Sequence, residues 1–139
     1  MKTTISLTSF LLLAVFASTC CAQEIVDEWR YTLRRPDASW RQADYDDADW
    51  TKGFGGFGTR DTPNARVGTT WSTNSIWLRK SFDLKALPAK PALLMHHDED
   101  AEVYINGKQV AAIKGYKSKY FVLPIENGAA LRVGENTMA

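Results

Sequence analysis

Residues 93–113, LLMHHDEDAEVYINGKQVAAI, contain the pattern that decides the fold. The apolar run 93–97 leads into the acidic turn 98–100, and a second apolar run at 103–105 leads into Asn106-Gly107. Asn-Gly between two strand-like runs is a strong hairpin signal, because both positions tolerate the positive φ angles of a tight turn. The stretch therefore predicts a strand, a turn, and a hairpin that returns over 109–113.

Strand-like runs continue on both sides of this hairpin. Residues 29–34 alternate apolar and polar side chains, IWLRKSFDL occupies 76–84, a further run covers 120–125, and a last strand is expected from Thr137. Period-two alternation is typical of strands with one buried face. Many short strands separated by turns predict an all-β fold, an antiparallel sandwich or barrel.

Residues 37–75 are the exception to this regular spacing. They contain turn formers and glycines and show no sustained helical period. A structureless connection of that length is uncommon in a compact domain. We therefore expect a packed surface excursion, with Trp40, Trp50 and Trp71 as the side chains that fix it to the body.

The first 22 residues have the pattern of a secretory signal peptide. Lys2 supplies the positive charge, the run 10–16 is apolar but too short to span a bilayer, and Ala22 suits the residue before the cut. This predicts a secreted or periplasmic protein without a transmembrane segment. A lipid anchor at Cys20 or Cys21 is the alternative, although residues 17–19 fit a lipoprotein signal poorly.

Length and charge restrict the number of domains and the possible binding partners. The 139 residues carry 17 Lys+Arg against 16 Asp+Glu, a net charge of +1, which gives no basic face for nucleic acid. Residues 23–139 are long enough for one domain. Both cysteines lie in the signal segment, so the mature chain is expected to fold without a disulfide.

Candidate catalytic and metal-binding groups are sparse. His96 and His97 are neighbours on a strand and point to opposite faces, so a shared zinc ion is not expected. A calcium ion at Asp98 or Asp100, held with backbone carbonyls, is the remaining metal possibility, and no other cofactor is indicated. Since no nucleophile elbow or placed pair of carboxylates occurs, the chain shows no catalytic set of its own.

Several stretches, taken in order, resemble one known domain. They are DYDDADW at 44–50, GFGGFGTRDTPNARVGTTW at 53–71, IWLRKSFDL at 76–84, HHDEDAEVYINGKQVAAIKGY at 96–116 and GEN at 134–136. The order resembles the N-terminal sugar-binding-type domain of secreted family 2 glycoside hydrolases, the beta-galactosidase group. The resemblance implies a galactose-binding-like jelly roll, an antiparallel β-sandwich, over residues 23–139.

The resemblance also implies a role. Such a domain is a non-catalytic accessory at the front of an enzyme that hydrolyses O-glycosidic bonds, and its partners are carbohydrate, the catalytic domain of the same polypeptide, or both. Stacking on sugars needs aromatic faces, and hydroxyls need planar polar groups. The candidates for such contacts are Trp71, Arg60, Asp61, Asn64 and Tyr116. Trp71 as a loop anchor, and Arg60 with Asp61 as a surface pair, are the alternatives.

Two other functions stay open at this point. One is a free-standing secreted carbohydrate-binding or adhesion module, and the other is the same domain before a different secreted hydrolase, such as an amidase. Domains of the resembled type have a further strand after the Gly-Glu-Asn turn, whereas Asn136 to Ala139 look like the beginning of one. We therefore expect a fragment that is truncated at its last strand.

Overall fold

The computed structural model describes residues 28–126 and 128–139. The expected signal peptide, its two cysteines and residues 23–27 lie outside the described residues. No helix in the described part is long and apolar enough to cross a membrane.

The described chain is built almost entirely from ten β-strands. They are β1 (Glu28–Thr32), β2 (Thr51–Phe54), β3 (Phe57–Gly58), β4 (Thr69–Thr70), β5 (Trp77–Leu84), β6 (Ala92–His97), β7 (Ala101–Ile105), β8 (Lys108–Ile113), β9 (Lys117–Pro124) and β10 (Gly134–Met138). Two short 3-10 turns, Ala38–Arg41 and Gly128–Ala130, complete the regular structure.

The strands form two layers. One sheet has six strands in the order β2-β1-β5-β10-β7-β8, all pairing antiparallel, and the facing layer is the antiparallel pair β6-β9. The two-residue strands β3 and β4 pair parallel to each other at one side. This confirms the predicted all-β, antiparallel sandwich, with one short parallel pairing that the sequence did not indicate.

The core lies between the layers. Ile105 of β7 is completely buried and packs with Ile125 and Ala130, while Leu93 of β6 comes from the opposite layer. Burial of apolar side chains from both sheets is what holds two such layers together.

The predicted hairpin closes as expected. Asn106 and Gly107 have φ angles of 50° and 79°, the left-handed region that a two-residue turn requires. Asn106 also donates from Nδ2 to Asn136 Oδ1 (2.8 Å) and accepts the Thr137 backbone N–H (2.9 Å). The turn residue therefore fixes β10 next to the hairpin as well as reversing the chain.

Residues 37–50 cover the outer face of the six-stranded sheet. Trp40 stacks on Trp50 with ring centroids 6.4 Å apart, and it meets Tyr104 of β7 edge to face. The excursion was predicted to be pinned by tryptophans, and Trp40 and Trp50 confirm that expectation.

A buried arginine fastens this excursion to the sheet. Arg79 on β5 is 3% exposed and donates from Nε to Asp47 (2.8 Å). Its remaining N–H groups donate to three backbone carbonyls of the excursion, those of Trp40, Gln42 and Tyr45. Arg30 on β1 holds Asp47 from the other side at 3.3 Å. Each buried charge is thus paired or hydrogen-bonded.

Strand positions largely follow the sequence expectations, with shifted ends. The last strand begins at Gly134, not at Thr137, because its register with β5 starts at the Gly134–Leu84 pair. Strand β2 was not predicted: it lies inside the excursion and pairs with β1. Asn127, part of a predicted turn, lies outside the described residues.

We predict that Arg79→Leu lowers the free energy of unfolding by about 3 kcal/mol or more, because it leaves three backbone carbonyls without their donor and leaves Asp47 with only its longer contact to Arg30. Chemical denaturation measures this. Lys52→Ala, which breaks the exposed pair with Glu28 on the same sheet, is the matched control and should leave the unfolding midpoint unchanged. Equal effects of the two substitutions on the unfolding midpoint would contradict the role of Arg79 in fastening residues 37–50 to the sheet.

Candidate ligand-binding surface

The loop of residues 59–68 is docked on the outer face of the β6-β9 layer. Asn64 donates from Nδ2 to the Ser118 carbonyl (3.0 Å), and the Arg66 backbone N–H donates to Tyr120 Oη (3.2 Å). On β6, the His96 ring donates from Nε2 to the Pro63 carbonyl at 3.1 Å. Two hydrogen bonds to β9 and one to β6 therefore hold the tip of this loop against the β6-β9 layer.

Aromatic rings lie exposed beside the docked loop. Tyr116, just before β9, is 69% exposed, and Tyr120 is 45% exposed with its ring centroid 5.4 Å from that of His96. Leu94 and Val122, direct cross-strand partners on the outer face, are also exposed. An exposed face that combines rings with neighbouring polar loop groups can hold an amphipathic ligand such as a sugar.

Asn64 and Tyr116 are the two predicted site residues that this surface brings near each other. Asn64 lies in the left-handed region (φ 57°) and bonds to Ser118, two residues beyond Tyr116. One N–H of its amide fastens the loop, so the side-chain oxygen and the second N–H are left for a ligand. The Tyr116 ring makes no ring contact with another described residue, and the residue is 69% exposed.

Arg60 and Asp61 lie at the start of the same loop. Both are exposed, in a turn closed by the Thr62 N–H to the Thr59 carbonyl (3.0 Å). No ion pair joins either residue to another part of the described chain. The alternative interpretation, a surface ion pair between them, is therefore not seen, and both polar groups point to solvent.

Trp71 sits at the base of the loop and not at its docked tip. Its backbone N–H donates to the Gly58 carbonyl (2.9 Å), and its indole Nε1–H donates to Thr73 Oγ1 (2.8 Å). The side chain is half-buried. This geometry supports the anchor interpretation, although one part of the ring remains accessible.

The acidic turn between β6 and β7 uses its carboxylates internally. Asp100 accepts from Lys114 Nζ (2.7 Å) with one oxygen and from the Gly115 N–H (2.9 Å) with the other. The hydrogen bond from Lys114, followed by that from Gly115, lowers the pKa of Asp100 below its ordinary value. The same hydrogen bond raises the pKa of Lys114.

Metal ligands do not converge in the described residues. No group of three or more His, Cys, Asp or Glu side chains within 28–126 and 128–139 could hold an ion. His96 turns to Pro63, whereas His97 is buried with Nδ1 on the Glu99 carbonyl (2.7 Å), so the two imidazoles have separate partners. A calcium ion at Asp98 and Asp100 would have to displace Lys114.

Two depressions of the described surface each contain a single carboxylate. One, of about 410 Å³, contains Glu28 as its sole carboxylate, and the other, of about 270 Å³, contains Glu126. Hydrolysis of a glycosidic bond normally needs two carboxyl groups across a cleft, with one pKa raised. The pKa of Glu28 is lowered instead, because Lys52 donates a hydrogen bond to it at 2.8 Å.

Several residues of this surface were not identified as site candidates from the sequence. Tyr120, His96 and Arg66 hold or flank the docked loop, and none of them was a site candidate. In the sequence, the alternation of side chains along the strand could have indicated that Tyr120 faces outward. No sequence pattern indicates that residues 63–66 reach β9. Asn64, a site candidate from the sequence, lies on this surface, and its amide holds the loop to β9.

The fold is shared with known glycosidases. A β-glycosidase from Bacteroides vulgatus is 21% identical with a TM-score of 0.53, over 82% of this chain and 16% of that one. A glycosyl hydrolase family 2 member from Bacteroides cellulosilyticus is 21% identical with a TM-score of 0.57, over 84% and 17%. A β-glucuronidase from Bifidobacterium dentium is 18% identical with a TM-score of 0.54, over 84% and 20%.

These similarities establish the fold of this chain and show how its length compares with that of the matched glycosidases. No protein-family model and no curated protein matches this sequence. The chain spans between 13% and 20% of the length of the solved glycosidases that it matches. The described residues thus have the fold of one small part of family 2 glycosidases.

We predict that Asp100→Asn lowers the melting temperature at neutral pH and that this difference disappears in acid. The folded-state pKa of Asp100 lies below its ordinary value of 3.8, so its contribution is present above that value and is lost as the pH falls through the folded-state pKa. Thermal unfolding from about pH 6 to about pH 2 measures this.

The matched control is Asp98→Asn, which removes an exposed carboxylate of the same turn that has no partner in the described chain. Its effect should not vary with pH in this way. Addition of millimolar calcium at neutral pH gives a second readout, since a calcium-dependent rise in melting temperature that either variant abolishes would contradict the Asp100–Lys114 assignment and support calcium.

Proposed function

We propose that this chain is a non-catalytic accessory domain of a secreted family 2 glycoside hydrolase. The observation that carries the proposal is the shared fold over more than four-fifths of this chain and less than a fifth of glycosidases of that family. The lone, cation-paired carboxylate in the larger depression agrees with a domain that does not hydrolyse sugar itself. The proposal includes two further statements: the whole protein belongs to family 2, and it has beta-galactosidase-like activity.

Two measurements test this proposal. The coding frame downstream of Ala139 should encode a barrel with two carboxylates about 5–5.5 Å apart, the spacing of a retaining enzyme. The isolated chain should release no product from a chromogenic β-galactoside or β-glucuronide. Hydrolysis by the isolated chain, or a downstream frame that encodes an unrelated amidase, would overturn the proposal.

The docked loop and the exposed rings support a finer role in carbohydrate binding. Tyr116 would stack on a sugar ring, while Arg60, Asp61 and the Asn64 side-chain oxygen would meet hydroxyl groups. Trp71 would contribute the accessible part of its ring. The same groups could instead contact the catalytic domain of the polypeptide, and a free-standing secreted binding or adhesion module would use them in the same way.

We predict that Tyr116→Ala weakens binding of a β-linked oligosaccharide about three- to tenfold, since one ring contact is worth about 0.5–1.5 kcal/mol. Titration calorimetry measures the affinity, and Tyr116→Phe should retain it because the ring remains. Phe54→Ala removes a similarly exposed ring, 63% accessible on β2, and serves as the matched control. No sugar binding by the parent chain would remove the carbohydrate role and leave the domain-contact role.

Localisation follows from the same proposal. A signal peptide at residues 1–22 would place the domain outside the cytoplasm, secreted or periplasmic, and a lipid anchor at Cys20 or Cys21 is the alternative. Mass spectrometry of the mature protein distinguishes them, because cleavage after Ala22 gives a chain that begins at Gln23 without an attached lipid.

A further inference from the structure

The base of the docked loop, residues 59–68, is held together independently of its tip. The strands β3 and β4, which flank the loop, pair with each other. The Gly56 carbonyl also accepts the backbone N–H groups of Gly68 (2.8 Å) and Thr69 (3.0 Å). Since these bonds involve no atom of the β6-β9 layer, the loop can separate from that layer while its base stays closed.

Two side chains of the β6-β9 layer hold the tip of the loop. Tyr120 of β9 accepts the Arg66 backbone N–H with Oη (3.2 Å), and the His96 ring of β6 lies with Nε2 3.1 Å from the Pro63 carbonyl oxygen. Because a carbonyl oxygen only accepts, Nε2 of His96 is the donor. The two rings pack with centroids 5.4 Å apart, so each restricts the orientation of the other. We call the side chains of Tyr120 and His96 the latch.

The latch contacts backbone atoms of the loop. Its partners are the N–H of residue 66 and the carbonyl of residue 63, whereas the candidate ligand groups of the loop are the side chains of Arg60, Asp61 and Asn64. The latch therefore sets where the loop lies and leaves those side chains available for a ligand.

The candidate ligand groups come from two separate parts of the chain. Tyr116 directly precedes β9, whereas Arg60, Asp61 and Asn64 belong to the loop. With the loop docked, Asn64 donates to the Ser118 carbonyl (3.0 Å), two residues beyond Tyr116. A loop that left the layer would carry its polar groups away from that ring. A ligand that contacts both parts consequently binds the docked state more tightly, and its binding favours docking.

We propose that Tyr120 and His96 are positioning residues, which hold the loop in the docked state that binds a sugar. The inference rests on the carbohydrate role proposed above and adds to it the residues that assemble the site. Docking in advance removes entropy that the loop would otherwise lose when the ligand binds. The apparent affinity is then proportional to the fraction of molecules whose loop is docked.

Limited digestion with trypsin measures docking, because Arg66 is exposed in the loop and cleavage after it requires local opening of the chain. In the double variant Tyr120→Phe/His96→Leu, loss of two hydrogen bonds should raise the rate of this cleavage about tenfold or more. Cleavage after Lys85, in the exposed connection between β5 and β6, should keep its rate and is the internal reference. Use of His96→Gln instead of His96→Leu keeps an N–H donor and should return the rate to that of Tyr120→Phe alone.

Sugar binding separates positioning from a purely structural role. Titration calorimetry with a β-linked galacto-oligosaccharide should show an affinity about threefold or more lower for the double variant, provided that this variant still unfolds cooperatively. In the parent chain, the oligosaccharide at about ten times its Kd should slow cleavage after Arg66 about tenfold, because binding withdraws molecules from the undocked state. Cleavage after Lys85 should not respond to the sugar.

Three results would overturn the proposal. Unchanged cleavage after Arg66 in the double variant would show that the latch does not hold the loop. Faster cleavage with unchanged affinity would show that the sugar does not need the docked loop, while the carbohydrate role itself would stand. Absence of sugar binding by the parent chain would remove the carbohydrate role and the positioning role together. Tyr120→Phe alone, which deletes one hydroxyl group, gives the same test where the double variant does not unfold cooperatively.

Discussion

The buried guanidinium of Arg79 is the interaction on which the rest of this structure depends. It is the most buried charge described, and it bonds to one carboxylate and to three carbonyls of a segment that has almost no regular structure. An irregular segment over a sheet would otherwise leave those carbonyls without partners. With the guanidinium in place, Trp40 and Trp50 can pack on the sheet, and β2 can pair with β1 at the other end of the same segment.

The side chains of Asn106 and Asn136 likewise hold irregular backbone in place by hydrogen bonds, at the opposite end of the sheet. Asn136 is completely buried, accepts the Arg132 N–H and donates to the carbonyls of Arg132 and Gly134. These bonds shape the turn before β10, and the bond from Asn106 ties that turn to the β7-β8 hairpin. The position of β10 between β5 and β7 therefore depends on polar side chains that a purely apolar pattern does not include.

The sequence predicted the parts of the fold that local rules control. Alternation located β1, β5 and β9, and Asn-Gly located the β7-β8 turn because its φ angles depend on those two residues alone. It did not predict β2, whose residues Thr51 to Phe54 have no clear apolar face, nor Arg79 as a clamp, since an arginine in a strand usually indicates a solvated face. The register of an excursion over a sheet is set by distant partners, and a single sequence does not show those.

The same distinction explains the candidate surface. Residue type alone suggested Tyr116 and Asn64 as candidates, but the contact between their segments depends on residues 63–66 reaching β9. Close backbone approach makes this possible at Gly56, where a Cβ would lie 1.9 Å from the Arg66 carbonyl oxygen. The missing side chain at Gly56 therefore lets the backbone of Arg66, at the end of the docked loop, lie directly against residue 56.

Because the tip of the loop is held mainly through backbone atoms, the side chains of Arg60, Asp61 and Arg66 stay free for a partner. A rigid support with free polar side chains lowers the entropy that a ligand must offset on binding. This holds equally for a sugar and for a neighbouring domain, and the difference between them lies in the ring of Tyr116. A sugar uses the face of an exposed ring, whereas a domain contact would bury the ring together with the adjoining apolar side chains of Leu94 and Val122.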